Sequence, residues 1–448
     1  MNRPAVFMAA RRKDEYMEYK VSDNIVTIRC GENVILYNRM LGGVITISDV
    51  LYKTLLNNYT IDADLRKKLS LNNIVFDKHT DESDLIERLK IEELEKATSG
   101  NALRCLELSV SEECNYTCVY CKFWRHRNDQ VVNLMSKATC FRVLNDFLSL
   151  VDSSKLSVYM GTAEALLNWE VVKYATNLIR NTSKNVRISL ITNGSIMTRE
   201  ILEFCKLNDI SIGVSLDGRP RLQRSQRRPV SPTIDSSKVI IDLIDYAKRI
   251  KFGLKCISCT FSSIDFCDDV KYVVELCKKN GIPEIDIDYD TGALLDNKGV
   301  SEISDELVRC YSIATNAGLY VFGNWLVPYY NITNSNGGIK SFCGNTIGKS
   351  ICISADGGFK LCGYQEEKIE PYTAIKNHLS SALTRKIFKS RLPGNLVSCR
   401  DCEIEGVCVG QCMLTEKQDD TWIRTRDLYK KTTKTLLMTK EHNPCLPK

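Results

Sequence analysis

An α/β fold, with a parallel sheet curled into a partial (β/α)6 TIM-like barrel, is predicted by two observations. Between Leu103 and Tyr289 six short apolar runs alternate with longer stretches of helical periodicity. Three cysteines in the run Cys114-Asn115-Tyr116-Thr117-Cys118-Val119-Tyr120-Cys121 follow directly on the first of those runs, at the strand end where such barrels gather their chemistry.

Taken in order, residues from about Asn24 to Gly100 read as a small separate unit. Two β-rich runs, Ile25–Arg29 and Val34–Asn38, precede a turn signal at Gly42-Gly43 and a third run, Val44–Ile47. Helical patterns follow at Asp49–Leu56, Asp62–Leu69 and Glu82–Lys96. Strands followed by three helices suggest a winged-helix shape. Residues 1–100 carry 15 Lys and Arg against 16 Asp and Glu, a poor match for a polyanion. In the barrel region the strands are expected at Cys105–Val110, Leu156–Met160, Val186–Ile191, Ser211–Ser215, Leu254–Cys259 and Glu284–Asp288. The helices between them are expected at Lys137–Leu150, Glu170–Arg180, Thr198–Leu207, Ser236–Arg249 and Asp268–Lys279. Three units follow: 1–100, 101–310 and 311–448.

The chain has 448 residues, 44% apolar and 26% charged, ordinary values for a soluble globular protein of two or three domains. No stretch approaches the roughly 18 consecutive apolar residues of a membrane helix. Met1 to Lys20 lacks the apolar core of a signal peptide, so a cytoplasmic protein without a membrane partner is expected. Twenty cysteines in a reducing compartment point to metal or cluster ligation rather than disulfides. The net charge of +6 is spread along the chain, with one dense basic run at Arg219–Arg228, and nucleic acid is not expected as a partner.

Three thiolates can hold three irons of a [4Fe–4S] cubane, leaving the fourth open to a small ligand. A zinc knuckle or three unrelated thiols would satisfy the same spacing. The C-x3-C-x2-C run after the strand Leu106–Val110 resembles the cluster motif of radical S-adenosylmethionine (AdoMet) enzymes. The resemblance implies that Cys114, Cys118 and Cys121 hold the catalytic cluster, whose open iron binds AdoMet and cleaves it to a 5′-deoxyadenosyl radical. It further implies AdoMet contacts from Tyr120, beside the last of these cysteines, and from the loops that follow.

Family members carry a Gly-Gly-Glu-Pro run after the second strand. Here Met160-Gly161-Thr162-Ala163-Glu164-Ala165 stands in its place, and Gly161, Thr162 and Glu164 are the candidates for the AdoMet amine. An ordinary strand-to-helix loop is the alternative. Asn193, in Thr192-Asn193-Gly194-Ser195, suits ribose hydroxyls. Ser215, in the family-like run Ser215-Leu216-Asp217-Gly218, is a further contact, with Asp217 ordering the turn. Arg227, nine residues past Gly218, has the spacing of an arginine that clamps the AdoMet carboxylate, although Gln223 and Arg224 replace the usual His-Asp before it.

Beyond residue 340 the order Cys343, Gly357-x4-Cys362, Cys399-x2-Cys402-x5-Cys408-x3-Cys412, Cys445 resembles the SPASM extension, which binds two auxiliary [4Fe–4S] clusters. A zinc ribbon would explain four of these cysteines but not seven. Carried over, Cys343, Cys362 and Cys412 serve the first auxiliary cluster, and Cys399, Cys402, Cys408 and Cys445 the second. Cys352 is a candidate for the first cluster's missing ligand. In a hairpin closed by Asp356-Gly357 it is expected to face Leu361, with its thiol away from Cys362. Cys30, Cys105, Cys140, Cys205, Cys256, Cys259, Cys267, Cys277 and Cys310 read as core thiols.

Across nearly the whole chain the pattern is similar to that of radical AdoMet peptide maturases. The run Leu36-Tyr37-Asn38-Arg39-Met40-Leu41-Gly42-Gly43 looks like their N-terminal leader-recognition unit, where a precursor's leader peptide adds a strand to a sheet edge. The resemblance implies AdoMet, three [4Fe–4S] clusters, a precursor peptide with its leader, and an external electron donor such as flavodoxin or ferredoxin. It implies an intrapeptide cross-link, of the carbon–carbon kind made by streptide-type cyclases. Thioether maturases of the sactipeptide type and anaerobic sulfatase-maturating enzymes share these parts and remain alternatives. An iron–sulfur electron carrier or redox sensor would leave the AdoMet-like motifs unexplained.

Overall fold

The computed structural model describes residues 19–57, 61–121, 133–150, 155–262, 265–290, 299–334, 338–365, 368–413 and 420–440. Cys445 lies outside the described residues.

The N-terminal part holds β1 (Tyr19–Val21), β2 (Ile25–Cys30), β3 (Asn33–Asn38), β4 (Val44–Ser48), α1 (Asp49–Leu56), α2 (Ala63–Leu71), β5 (Val75–Asp77) and α3 (Glu82–Thr98). Strands β2, β3 and β4 form an antiparallel meander with β3 central, and β1 pairs with β5 in a two-stranded sheet. The expected short elements are present, with the β1–β5 pair in addition. The expected separateness is not. Ile28, Ile35, Tyr37, Met40, Leu41, Ile86, Leu94 and Ala97 are buried in one continuous core with the barrel. The Met40–Gly43 turn docks on the C-terminal part: the Gly43 N–H donates to the Ile332 carbonyl at 3.1 Å, and the Gly406 N–H to the Arg39 carbonyl at 2.9 Å. A Cβ on Gly406 would lie 2.5 Å from Met40 Cα, so only glycine permits that approach.

The barrel alternates β6 (Cys105–Leu108), α4 (Lys137–Leu150), β7 (Leu156–Met160), α5 (Trp169–Arg180), β8 (Val186–Thr192), α6 (Arg199–Leu207), β9 (Ile210–Ser215), α7 (Pro220–Gln226), α8 (Ser236–Arg249), β10 (Cys256–Phe261), α9 (Cys267–Asn280), β11 (Glu284–Tyr289), α10 (Val300–Asn316) and β12 (Tyr320–Phe322). All seven strands are parallel and lie in chain order within a nine-stranded sheet, the topology of an open barrel. Two expectations need correction. A seventh strand, β12, extends the sheet, so α10 runs straight across the boundary placed at 310. The hairpin β13 (Ser350–Ile353) and β14 (Phe359–Lys360) is also part of the sheet, with β13 parallel to β6.

In β7, β10 and β11 burial alternates, one face packed under helices and the other half-open to the lumen. The hairpin's register is one residue off the expected one: Cys352 pairs with Lys360, not Leu361. A one-residue slip exchanges the faces, so Cys352 shares a face with Cys362. The C-terminal part adds α11 (Val327–Thr333), α12 (Ile375–Ser380), α13 (Ala382–Ser390), α14 (Glu405–Cys408) and α15 (Asp420–Lys440). Helix α15 packs on α10, where Thr432 bonds Ser304 at 3.1 Å. No helix among the described residues is long and apolar enough to cross a membrane.

Candidate active site at the mouth of the barrel

The loop after β6 carries Cys114, Cys118 and Cys121, and a second loop fixes it. The Thr117 N–H donates to the Arg228 carbonyl at 2.7 Å, Val119 to Gln226 at 2.9 Å, and Val230 to Asn115 at 2.9 Å. Tyr116, fully buried, bridges to Pro229. The Cys121 N–H closes a turn on the Cys118 carbonyl at 3.0 Å. Burial pushes Cys114 up to about 12 and Cys118 to about 11, and the neighbouring thiols add to the rise, Cys118 and Cys121 at Cys114 and Cys121 at Cys118. Thiols this reluctant to ionise become thiolates only beside bound cations, which iron would supply. These three residues fit a cubane corner with one iron left open.

Each AdoMet candidate has a definite place around that loop. Glu164 is buried; its Oε1 accepts from Thr192 Oγ1 (2.8 Å) and the Leu166 N–H (3.2 Å), and its Oε2 from the Asn193 N–H (2.8 Å). Burial raises its pKa to about 6 against these bonds. A carboxylate has about four acceptor positions, so one remains for a ligand ammonium. Asn193 Nδ2 lies 3.9 Å from Cys114 Sγ and 2.9 Å from Asn115 Oδ1, tying the ribose candidate to the cysteine loop. Ser215, nearly buried at the end of β9, sits opposite Ser258 in register. Gly161 answers first to the protein itself, since a Cβ there would lie 2.4 Å from the Tyr159 ring.

Arg227 and Tyr120 are already engaged. Arg227 is buried and paired with Asp217 at 2.9 Å, and its guanidinium lies 5.5 Å from the Tyr120 ring centroid. Asp217, fully buried, also accepts from Tyr120 Oη (2.8 Å), Gln226 Nε2 (2.8 Å) and the Thr260 N–H (2.9 Å). Asp217 therefore does more than shape the Asp-Gly turn: it is the hub that holds Tyr120 and Arg227 beside Cys118. The basic run is neutralised in the same way, with Arg219 on Asp269 and Arg224 on Asp235.

Thr162, where the family run has glycine, adopts φ +125°, a region costly for any side chain. Its Oγ1 bonds Ser109 at 3.1 Å, and its methyl packs where Gly363 leaves room: a Cβ on Gly363 would lie 1.7 Å from Thr162 Cγ2. Gly363→Ala is expected to lower stability by roughly 1–3 kcal/mol through overpacking. Adding Thr162→Gly should recover most of that loss in thermal unfolding. Equal melting temperatures for Gly363→Ala and wild type would show that this contact carries no strain.

Asp286 and Asp288 were not anticipated. Both lie on the lumen face of β11, opposite Ser258 and Thr260. Asp286 accepts from Ser258 Oγ (2.9 Å) and Asp288 from Asn324 Nδ2 (2.8 Å). Burial, and then the charge of Asp286, pushes Asp288 up to about 8. The signal was in the sequence: carboxylates alternating with Ile285 and Ile287, where a parallel strand under helices ordinarily reads apolar on both faces. Because the folded chain keeps a proton on Asp288 that the unfolded chain releases near pH 4, this group's contribution to stability falls as pH rises from about 4 to about 8. Asp288→Asn is therefore expected to raise stability at pH 8, by on the order of 1–3 kcal/mol. The gain should shrink toward pH 4, and a pH-independent difference in melting temperature would contradict it.

The C-terminal cysteines gather in two sets. Cys362 lies within electrostatic reach of Cys412 and Cys343, and Cys408 within reach of Cys399 and Cys402. Burial raises the pKa of Cys402, and the charges of Lys430 and Arg426 nearby work against that rise. Cys352, buried, neighbours Glu107 and Cys362.

Comparison with known proteins accords with this geometry. Residues 108–287 match the Radical SAM superfamily. The radical SAM cyclopropyl synthase TigE of Paramaledivibacter caminithermalis is 22% identical over 441 residues, covering 88% of this chain and 90% of TigE. Among solved structures, native anSMEcpe with bound AdoMet superposes with a TM-score of 0.61 at 15% identity, covering 76% of this chain and 99% of that one. Streptococcus suis SuiB bound to its precursor peptide SuiA gives 0.55 at 15% identity, covering 90% and 98%. The matched segment, the superpositions and the cysteine loop at the barrel mouth lead to one conclusion: residues 108–287 of this chain carry a radical SAM domain in a radical SAM α/β fold.

Proposed function

We propose that this chain is a radical AdoMet peptide maturase that closes a carbon–carbon bond within a ribosomally made precursor. The observation that carries this reading is the set of three half-buried thiols, Cys114, Cys118 and Cys121, pinned at the barrel mouth beside the Asp217–Arg227–Tyr120 hub. When bound, the cluster and AdoMet supply hydrogen-atom abstraction from an unactivated carbon. The chain's own residues then have separate tasks. Glu164 offers its remaining acceptor position to the amine, Asn193 and Ser215 face the ribose, and Arg227, held by Asp217, offers its guanidinium to the carboxylate. Asp286 and Asp288 face the peptide in the lumen and are placed to accept a hydrogen bond or a proton from it.

Bond closure between two C–H carbons removes two hydrogens, one leaving as an atom and the other as a proton and an electron. The two C-terminal cysteine sets are placed to hold iron–sulfur acceptors for that electron, with Cys352 as fourth ligand of the Cys343–Cys362–Cys412 set. The carbon–carbon preference is supported by TigE, since making a cyclopropyl group is itself carbon–carbon bond closure. A peptide substrate is supported by SuiB with SuiA and by anSMEcpe with a bound Cp18Cys peptide. The leader would add to an outer strand of the β2–β3–β4 meander. The test is anaerobic co-expression with the small open reading frames beside this chain's gene, followed by peptide mass spectrometry. A peptide lighter by two hydrogens, its cysteines still open to alkylation, is the expected product. Cysteine-dependent loss of mass would favour a thioether instead, and unchanged peptides alongside abundant 5′-deoxyadenosine would remove the peptide reading.

A further inference from the structure

Two thiols and a carboxylate on the outside of the barrel form a group that the lumen chemistry does not use. Cys267 opens α9 and Cys310 lies within α10; although both read as core thiols in the sequence, their sulfurs are 3.2 Å apart. Glu306 stands four residues before Cys310 and so on the same face of α10. Its side chain is 3% exposed, and its Oε1 accepts the Cys267 N–H at 2.8 Å. One ligand atom from each of the three lies within 4.8 Å of the others. Cys310 is buried and Cys267 half-buried, leaving one open side. Arg309, mostly exposed, pairs with the outer oxygen of Glu306.

We propose that Cys267, Glu306 and Cys310 bind a single divalent ion of the zinc class, with water in the fourth position, and so clamp α9 to α10. Two thiolates and one carboxylate select a borderline-soft ion over magnesium or calcium. Sulfurs each about 2.3 Å from a tetrahedral ion sit roughly 3.8 Å apart, so the pair need open by only about half an ångström. A disulfide would require them to close by about 1 Å. Three anions around a dication leave one negative charge, which Arg309 offsets. The Cys267 N–H and Arg309 hold the Glu306 carboxylate in place, the support that metal ligands ordinarily have.

The experiment counts metals in the cluster-loaded protein after anaerobic incubation with one equivalent of zinc chloride, thiol reductant and desalting. Wild type should retain about one zinc per chain, and Cys267→Ala and Cys310→Ala close to none, with iron equal in all three. Zinc absorption fine structure on wild type, which needs no variant, should show two sulfurs at about 2.3 Å. Glu306→Gln should weaken zinc retention at least tenfold. Absence of zinc from wild type, equal zinc in wild type and both cysteine variants, or a sulfur-free zinc shell would overturn the site. A Cys267–Cys310 cross-link found by peptide mapping in protein purified without oxygen would also overturn it, in favour of a redox-active thiol pair.

Discussion

Replacing Cys114, Cys118 and Cys121 together by alanine will abolish AdoMet cleavage and remove about four irons per chain, one cubane's worth. The effect is expected to be total, because no other thiol among the described residues stands on this loop to take over. The loop itself should persist, since its position rests on backbone bonds from Thr117, Val119 and Asn115 to residues 226–230 rather than on the sulfurs. Loss of these irons is therefore expected to leave the C-terminal sets loaded and the fold intact by circular dichroism. Production of 5′-deoxyadenosine by the triple variant under reducing conditions would sink the assignment.

Deletion of residues 1–100 will yield a chain that does not fold, rather than a soluble barrel lacking a recognition module. Large side chains from the first hundred residues lie in the common core, and fully burying each is worth about 1.5–3 kcal/mol. Uncovering the surfaces that meet them costs a large part of the roughly 5–15 kcal/mol that stabilises an ordinary domain. The exposed surfaces would include α14, where Gly406 touches Met40, and the Gly348 turn, where a Cβ would lie 2.8 Å from the Ala97 carbonyl. Tyr37 also bonds the Glu403 carbonyl at 3.2 Å, beside Cys402. Aggregation, or loss of iron from the Cys399–Cys402–Cys408 set, is the expected result. A monomeric truncated protein with full iron content would show that the docking is dispensable. Leader binding is better probed by single substitutions on the exposed face of the meander.

Much of the barrel was legible because its signals are local. Apolar runs alternating with stretches of helical periodicity place most elements to within a residue or two. The place of the three cysteines was legible because they follow directly on an apolar run that reads as a strand. What was missed depends on pairing between distant segments. The hairpin's register followed from docking β13 on β6, which local turn chemistry does not encode. The Asp217 hub needs Tyr120 of the cysteine loop, Gln226 and Arg227 at the end of α7, and Thr260 of β10 brought together. The N-terminal unit read as separate because its composition is self-sufficient, while the Gly42-Gly43 turn that docks it looks like an ordinary hairpin signal. Cys267 and Cys310 read as core thiols because their contact joins two helices 43 residues apart.

The most direct test of the radical AdoMet assignment is product analysis on the wild-type chain, reconstituted with iron and sulfide and given AdoMet and a strong one-electron reductant without oxygen. 5′-Deoxyadenosine and methionine are expected in equal amounts, and neither when the reductant is left out. Intact AdoMet over a fully loaded, reduced Cys114–Cys118–Cys121 cluster would contradict the assignment.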